Sequence, residues 1–330
     1  MAEQRVSIAM ATFNGEKYLP AQLDSFLAQS RLPHEVVIGD DGSRDATLAI
    51  VEAFAAQAPF PVMLSVNVPG LGPAGNFART IARCSGDVIF LSDQDDVWHP
   101  EKIARVTERM AEQPGVLVAL HDARLVDTDG QPLGHTMAGQ IAASGADPAR
   151  GLVAGCCMAF DGRLGRLFDP APATPFHDAW LTALADRLGV RGFLPEPLID
   201  YRRHGANVSQ SFMSAARRAA PWRRWRERLS RAIARSPVEA LAEAVASQES
   251  AISAIRQHGD MLCSMLPRER VAAALAGMEA DCARDRRRLA IHQAPRRTRP
   301  GAILRGLHGG DYRGSQGLLS LLRDVAGVLG

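Results

Sequence analysis

Over the first hundred residues, short apolar runs alternate with amphipathic stretches, and this constrains the chain more than any other feature. Arg5 to Ala11 reads as an apolar strand, and Leu19, Leu23, Phe26 and Leu27 mark one face of a helix. Glu35 to Gly39 is a second strand and Asp45 to Ala56 a second helix. Pro61 to Val66 is a third strand, followed by a helix from about Pro73 to Cys84. Asp87 to Leu91 is a fourth strand and Pro100 to Glu112 a further helix. Alternation of this kind predicts an α/β domain with a mainly parallel sheet flanked by helices on both faces. With 46% apolar residues among 330, the chain can bury such a core.

The rhythm then changes. Val116 to Leu120 reads as another strand, Asp127 to Gly130 has turn chemistry, and Gly134 to Gly151, rich in Gly, Ala and Ser, predicts mobile loops. A strand around Val153 to Phe160, a helix from Asp178 to Leu188 and a strand near Pro197 to Tyr201 would close the domain. From Ser211 onward only helix is predicted, giving residues 1–210 as one domain and 211–330 as a helical, Arg-rich extension. Within it, the arginines of 215–235 crowd around Trp222 and Trp225. A basic helix carrying aromatic residues suits an anionic membrane surface, and it also suits a partner helix. No nucleic-acid recognition motif accompanies it, so no nucleic-acid partner is expected.

The start of the chain has no signal-peptide pattern, and no run approaches the roughly 18 apolar residues of a membrane span. A cytoplasmic location is therefore expected, with peripheral attachment to the inner face of the cell membrane left open. Cys84, Cys156, Cys157, Cys263 and Cys282 follow no metal-ligand spacing and read as free, mostly buried thiols. Positive charge is almost all arginine, with Lys17 and Lys102 the two lysines.

Ligands of open parallel sheets bind beyond the carboxyl ends of the strands. Thr12, Phe13 and Asn14 stand there after the first strand, Asp40 to Ser43 after the second, and Ser92 to Asp96 after the fourth. Two carboxylate clusters thus converge on one edge. Asp40, Asp41, Asp93, Asp95 and Asp96 in one crevice would repel one another, and Lys102 is read as lying a turn or more into the next helix. A divalent cation with oxygen ligands, Mg²⁺ or Mn²⁺, held together with a polyphosphate, satisfies that charge. The alternative for Asp-Asp-Gly-Ser is an ordinary turn or helix cap.

Asp-Asp-Gly-Ser at 40–43 and Ser-Asp-Gln-Asp-Asp-Val-Trp at 92–98 resemble the family 2 glycosyltransferases of the GT-A (Rossmann-like) fold. The likeness is greatest to the rhamnosyltransferase-like bacterial enzymes of surface-polysaccharide synthesis. The opening Val-Ser-Ile-Ala-Met-Ala-Thr-Phe-Asn-Gly and the later Tyr-Arg-Arg-His at 201–204 fit the same pattern, and the likeness covers about residues 4–210. The resemblance implies an inverting transferase that moves a sugar from a dTDP- or UDP-linked donor to a glycan or lipid-linked acceptor. It implies that Asp41, with Ala11, Thr12, Asn14 and Asp40, lines the nucleotide pocket. By the same resemblance Asp93 and Asp95 would be the Asp-x-Asp pair, with Asp93 nearer the ribose and Asp95 the more direct metal ligand. Asp178 matches the position of the catalytic base. Tyr201, Arg202 and His204 would close over the diphosphate, with His204 a third metal ligand. His121 and Asp122 would line the donor-sugar pocket, and Gly155 to Cys157 would lie beside the acceptor. Read without the resemblance, Asp178 is also a candidate N-cap and His204 a candidate surface residue.

Three other readings stand beside this one. Gly70-Leu-Gly72-Pro-Ala-Gly75 matches the dinucleotide fingerprint of a nicotinamide-dependent oxidoreductase, but it follows the third strand and leaves Asp40, Asp41 and Asp95 unexplained. A nucleotidyltransferase would carry a Gly-rich basic loop after the first strand, which Thr12 to Gly15 is not. A silent nucleotide-binding module would need neither Asp95 nor Asp178.

Overall fold

The computed structural model describes residues 4–204, 236–312 and 320–325. The chain divides into two compact units, Met1–Ala216 and Arg217–Gly330. The Arg-rich stretch 215–235, expected to meet a membrane or a partner, lies outside the described residues. No described helix is long and apolar enough to cross a membrane.

The first unit opens with the expected alternation: β1 (Val6–Thr12), α1 (Leu19–Leu27), β2 (Glu35–Asp40), α2 (Thr47–Gln57), β3 (Val62–Val66), α3 (Gly72–Ile81) and β4 (Val88–Ser92). β1 pairs in parallel with both β2 and β4, and β2 pairs in parallel with β3. Ile8, Met10, Val36, Val37, Ile38, Phe90 and Leu91 are wholly buried. Strands covered on both faces read as unbroken apolar runs, which is why their positions were legible.

Beyond β4 the sheet becomes mixed, because β8 enters antiparallel between β4 and β6. The remaining elements are β5 (Val97–Trp98), α4 (Lys102–Glu112), β6 (Val118–Val126), β7 (Pro132–Thr136), α5 (Met137–Ala143), α6 (Pro148–Gly151), β8 (Met158–Asp161), α7 (His177–Leu188) and β9 (Arg191–Arg202). The strand order is β3-β2-β1-β4-β8-β6-β9-β5, with β7 paired to β6. β8 runs antiparallel to β4 and β6, whereas β6 and β9 are parallel. The result is one mixed α/β sheet.

Two stretches differ from expectation. The Gly/Ala/Ser-rich segment after residue 131 holds a hairpin strand and two short helices. Their starts are capped by Thr136 on the Gly139 N–H (3.0 Å) and by Asp147 on the Ala149 N–H (3.0 Å). The last strand begins at Arg191, well before its apolar core, because Gly189 at φ +66° ends α7 and turns the chain straight into it.

The second unit contains α8 (Pro237–Gln257), α9 (Gly259–Met265), α10 (Arg268–Gln293) and α11 (Arg299–Gly309). α8 buries Leu241, Val245, Ile252 and Ile255, and α10 buries Val271, Ala274, Met278 and Ile291. Asp324 is wholly buried and accepts from Arg288 Nε (2.9 Å), His292 Nε2 (3.1 Å) and the Tyr312 hydroxyl (2.9 Å), so its charge is paired. All five cysteines are free, Cys156, Cys157 and Cys282 buried and the other two partly so.

Candidate active site

The register of the parallel strands brings the acidic clusters together. Thr12 lies opposite Asp40 and Met10 opposite Ser92, so β2, β1 and β4 end side by side. The turn after β1 ties the other two. Asn14, at φ +47°, donates its N–H to Ser43 Oγ (2.8 Å) and accepts from the Arg44 N–H (2.9 Å). On the other side Gln94 grips Phe13, accepting its N–H (2.9 Å) and donating to its carbonyl (3.0 Å). A Cβ on Gly15 would collide with Gln94 Oε1, so only glycine admits that grip.

The two aspartates after β2 face different partners. Asp40 is wholly buried. Its Oδ1 accepts the Gly42 (3.0 Å) and Ser43 (2.8 Å) N–H groups, and its Oδ2 accepts the Thr12 (2.8 Å) and Ser43 (2.6 Å) hydroxyls. It therefore shapes the turn from within. Asp41 is partly exposed and accepts the Leu71 (2.7 Å) and Gly72 (2.8 Å) N–H groups and Asn67 Nδ2 (3.0 Å). The Gly70–Gly75 fingerprint thus turns these amides toward a protein carboxylate, after the edge strand β3. Nothing in this arrangement favours a dinucleotide.

The loop after β4 is held from the far end of the unit. The Arg202 N–H donates to Asp96 Oδ1 (3.0 Å) and its Nε to the Asp95 carbonyl (3.0 Å), and its Nη1 reaches the Thr128 carbonyl (3.1 Å). His204 Nε2 donates to Asp95 Oδ2 (2.7 Å), and the His204 ring stacks on Tyr18 at 5.1 Å. The Arg202 guanidinium lies 4.9 Å from the same tyrosine ring. Of the residues expected at the diphosphate, Arg202 and His204 are therefore brought against Asp95, whereas Tyr201 is buried in β9 opposite Leu125.

Asp178 stands at the start of α7, one residue inside the helix rather than at its cap. Its Oδ2 accepts the Gly155 N–H (3.1 Å), from the 3-10 turn Gly155–Cys157, and its Oδ1 accepts the Ala179 N–H (2.8 Å). Its charge also reaches Asp93. Removal from water, then the charge of Asp95, then that of Asp178 push the Asp93 carboxyl up to about 7. Burial, then Asp95 and Asp93, raise Asp96 well above the ordinary carboxyl range. Asp93, Asp95, Asp96 and Asp178 thus form one mutually repelling group. Side-chain ligand atoms of Asp93, Asp96 and Cys156 lie within 4.8 Å of one another. The oxygen donors suit a hard divalent cation, and the raised carboxyls mark the repulsion that such an ion would relieve.

Two features escaped sequence reasoning. Lys102 is not outside the cluster. It is the first residue of α4 and wholly buried, with Nζ donating to the Cys156 carbonyl (2.6 Å) and lying 3.7 Å from the Trp98 ring centre. Burial draws its ammonium down to about 8, opposed by neighbours that include Asp96 and Asp93. The signal was present: Lys102 shares the inward face of α4 with Ile103, Val106, Thr107 and Met110. Gly155 was expected only as a small neighbour of the acceptor, yet its N–H holds Asp178. The residues expected at the donor sugar are set into the protein wall. His121 is buried and driven well below its usual range by burial and then by Lys102, and Asp122 Oδ1 accepts the Ala123 and Ala138 N–H groups (both 2.7 Å).

A mixed α/β sheet with acidic turns gathered at neighbouring strand tips is the arrangement of the GT-A fold. The crystal structure of S. aureus TarS 1-349 in complex with UDP-GlcNAc shares this fold, at TM-score 0.57 and 15% identity, covering 98% of this chain and 90% of that one. Residues 7–161 match the family model Glycosyl transferase family 2. An uncharacterized glycosyltransferase of Nostoc sp. is 29% identical over 227 residues, 64% of this chain and 68% of the relative. A dTDP-rhamnosyl transferase of Shigella flexneri is 40% identical over 98 residues, 28% of this chain and 34% of the relative.

Proposed function

We propose that the chain transfers a sugar from a nucleoside-diphosphate donor, dTDP- or UDP-linked, to a hydroxyl of a glycan or lipid-linked acceptor, with inversion at the anomeric carbon. The observation that carries this reading is the convergence of Asp95, in the loop after β4, and Asp178, at the start of α7, on the Asp93 carboxyl, which both push up. Asp41, with Ala11, Thr12 and Asn14, lines the nucleotide side, and Asp40 serves that side by fixing the turn from behind. Arg202 and His204 take the diphosphate side. Asp93 and Asp95, with His204, would hold Mg²⁺ or Mn²⁺; when bound, such an ion stabilises negative charge on the leaving diphosphate.

The chain's own groups perform the rest. An acceptor hydroxyl attacks the anomeric carbon opposite the diphosphate. Its proton passes to the Asp178 carboxylate, a new carbon–oxygen bond forms, and the bond to the diphosphate oxygen breaks. The Gly155 and Ala179 N–H groups hold Asp178 in one orientation, which favours an in-line approach. The rhamnosyltransferase of Shigella supports a dTDP-linked donor for this chain, and the UDP-GlcNAc bound to TarS supports a UDP-linked one. A screen of dTDP- and UDP-sugars for nucleotide release, with Mg²⁺ or Mn²⁺ and with chelator, tests the reading. Asp178→Asn is expected to lower transfer by about 100- to 10,000-fold while leaving donor affinity nearly intact. Turnover retained by that variant removes Asp178 from the role of base.

A further inference from the structure

In a chain whose positive charge is almost all arginine, one lysine is wholly buried under the acidic loop. Taking an ammonium out of water is costly, and an apolar side chain of similar length in such a position is often neutral or stabilising. Packing alone therefore does not account for Lys102. The ammonium sits against an aromatic face and a carbonyl at once. Trp98 beneath it is fixed by Phe26 (4.8 Å) and Phe90 (5.7 Å) and by pairing with Ile199 on β9. The donated bond runs to Cys156 in the turn whose neighbouring residue, Gly155, holds Asp178.

We infer that Lys102 is a positioning residue for the transfer step: through the Cys156 carbonyl it pins the Gly155–Cys157 turn, and through the Gly155 N–H that turn sets the Asp178 carboxylate. The inference rests on Asp178 as the base. Within the turn the Cys157 N–H donates to the Ala154 carbonyl (3.1 Å) and the Met158 N–H to the Gly155 carbonyl, and Met158 leads into β8. The bonds from Lys102 and to Asp178 add side-chain ties from α4 and α7 to the turn's backbone.

Lys102→Met is the test. Transfer kcat is expected to fall roughly 10- to 100-fold, the effect of a small misplacement of a catalytic group, while donor KM stays nearly constant. Because Lys102 acts through Asp178, Lys102→Met added to Asp178→Asn should cost nothing further, whereas a merely structural lysine would give additive losses. Hydrogen exchange at the Gly155 amide should quicken in Lys102→Met. Lys102→Gln, which keeps a donor for the Cys156 carbonyl, should preserve that protection, and it serves if the methionine variant does not fold. Unchanged exchange in the variants that fold and lack the donor, accelerated exchange in Lys102→Gln, or additive losses in the double variant would overturn the inference. The exchange measurement does not use turnover. Absence of transfer by the unaltered chain on every donor would instead count against the transferase reading.

Discussion

Asp40 offers a sharp separation between a residue that touches nucleotide and one that builds the wall behind it. Its Oδ1 faces two backbone N–H groups and its Oδ2 faces two hydroxyls, all at 2.6–3.0 Å and fully buried. An asparagine in its place would fit this arrangement in one orientation. The amide oxygen can accept both backbone N–H groups, and the NH₂ can donate to hydroxyls that rotate to accept. Asp40→Asn should therefore cost about 1 kcal/mol, mainly the lost charge assistance. Asp40→Ala leaves the Gly42 and Ser43 amides orphaned, at roughly 1–3 kcal/mol each, so a loss of about 3 kcal/mol is expected. For a unit of this size that corresponds to a fall in Tm of roughly 6–12 °C for alanine against 2–4 °C for asparagine. Scanning calorimetry of the full chain reads the first unit's transition, and titration calorimetry with UDP or dTDP reads binding. Asparagine should keep nucleotide affinity within about threefold. An asparagine variant as unstable as the alanine one, or one that loses nucleotide binding with Tm unchanged, would refute this role for Asp40.

Other outcomes follow from the same geometry. His204→Ala removes the partner of Asp95 and should weaken Mn²⁺ binding in the presence of nucleoside diphosphate by about 10- to 100-fold; unchanged affinity and rate discard His204 as a ligand. Gly39→Ala would drive a methyl into both Asn76 Oδ1 and Thr80 Oγ1, displacing the Asn76 amide from the Gly39 carbonyl (2.8 Å). Urea unfolding should show a loss of roughly 1–3 kcal/mol. Burial alone would raise the Asp200 carboxyl, but bonds from His99 (2.7 Å) and Arg124 (2.6 Å, twofold) overcome it and hold the group below its ordinary 3.8. A depressed carboxyl stabilises the fold above its unfolded pKa, and that stability is lost as pH falls through the folded value. The stability gap between the unaltered chain and Asp200→Asn should thus hold from about pH 7 to about 5 and close below about 4. A gap that does not shrink at all as pH falls from about 4 to about 2 would deny the cluster this role.

What could be read from the letters depended on how completely each element is enclosed. The first, second and fourth strands are buried on both faces, so their apolar runs and polar tips were legible. β9 was only half legible because Pro195 and Pro197 interrupt it, and proline is normally excluded from a sheet interior. The structure absorbs them in a bulge: His121 faces Leu194 and Asp122 faces Pro197, which leaves Pro195 and Glu196 out of register. The identity of the acidic residues was legible, but their facing was not. Asp40 and Asp41 are adjacent, yet one turns inward to the turn it closes and the other toward the Leu71 and Gly72 amides. Lys102 was misplaced because charge was weighed before helical phase. Ile103, Val106 and Met110 fix an inward face that includes it.

The clamp from Arg202 to Asp95 and Asp96 has a consequence for how the protein is made. The loop it grips is complete by residue 96, but the amide and guanidinium that secure it come more than a hundred positions later. Chains emerge from the ribosome amino end first, so in the nascent polypeptide Asp95 and Asp96 lack these ties until the last strand is threaded beside β6. A truncation that stops short of Tyr201 keeps the βαβ half and all the aspartates of the site, but none of the restraint that Arg202 and His204 place on 95 and 96. Such a fragment would lack every tie that reaches Asp95 and Asp96 from the end of β9.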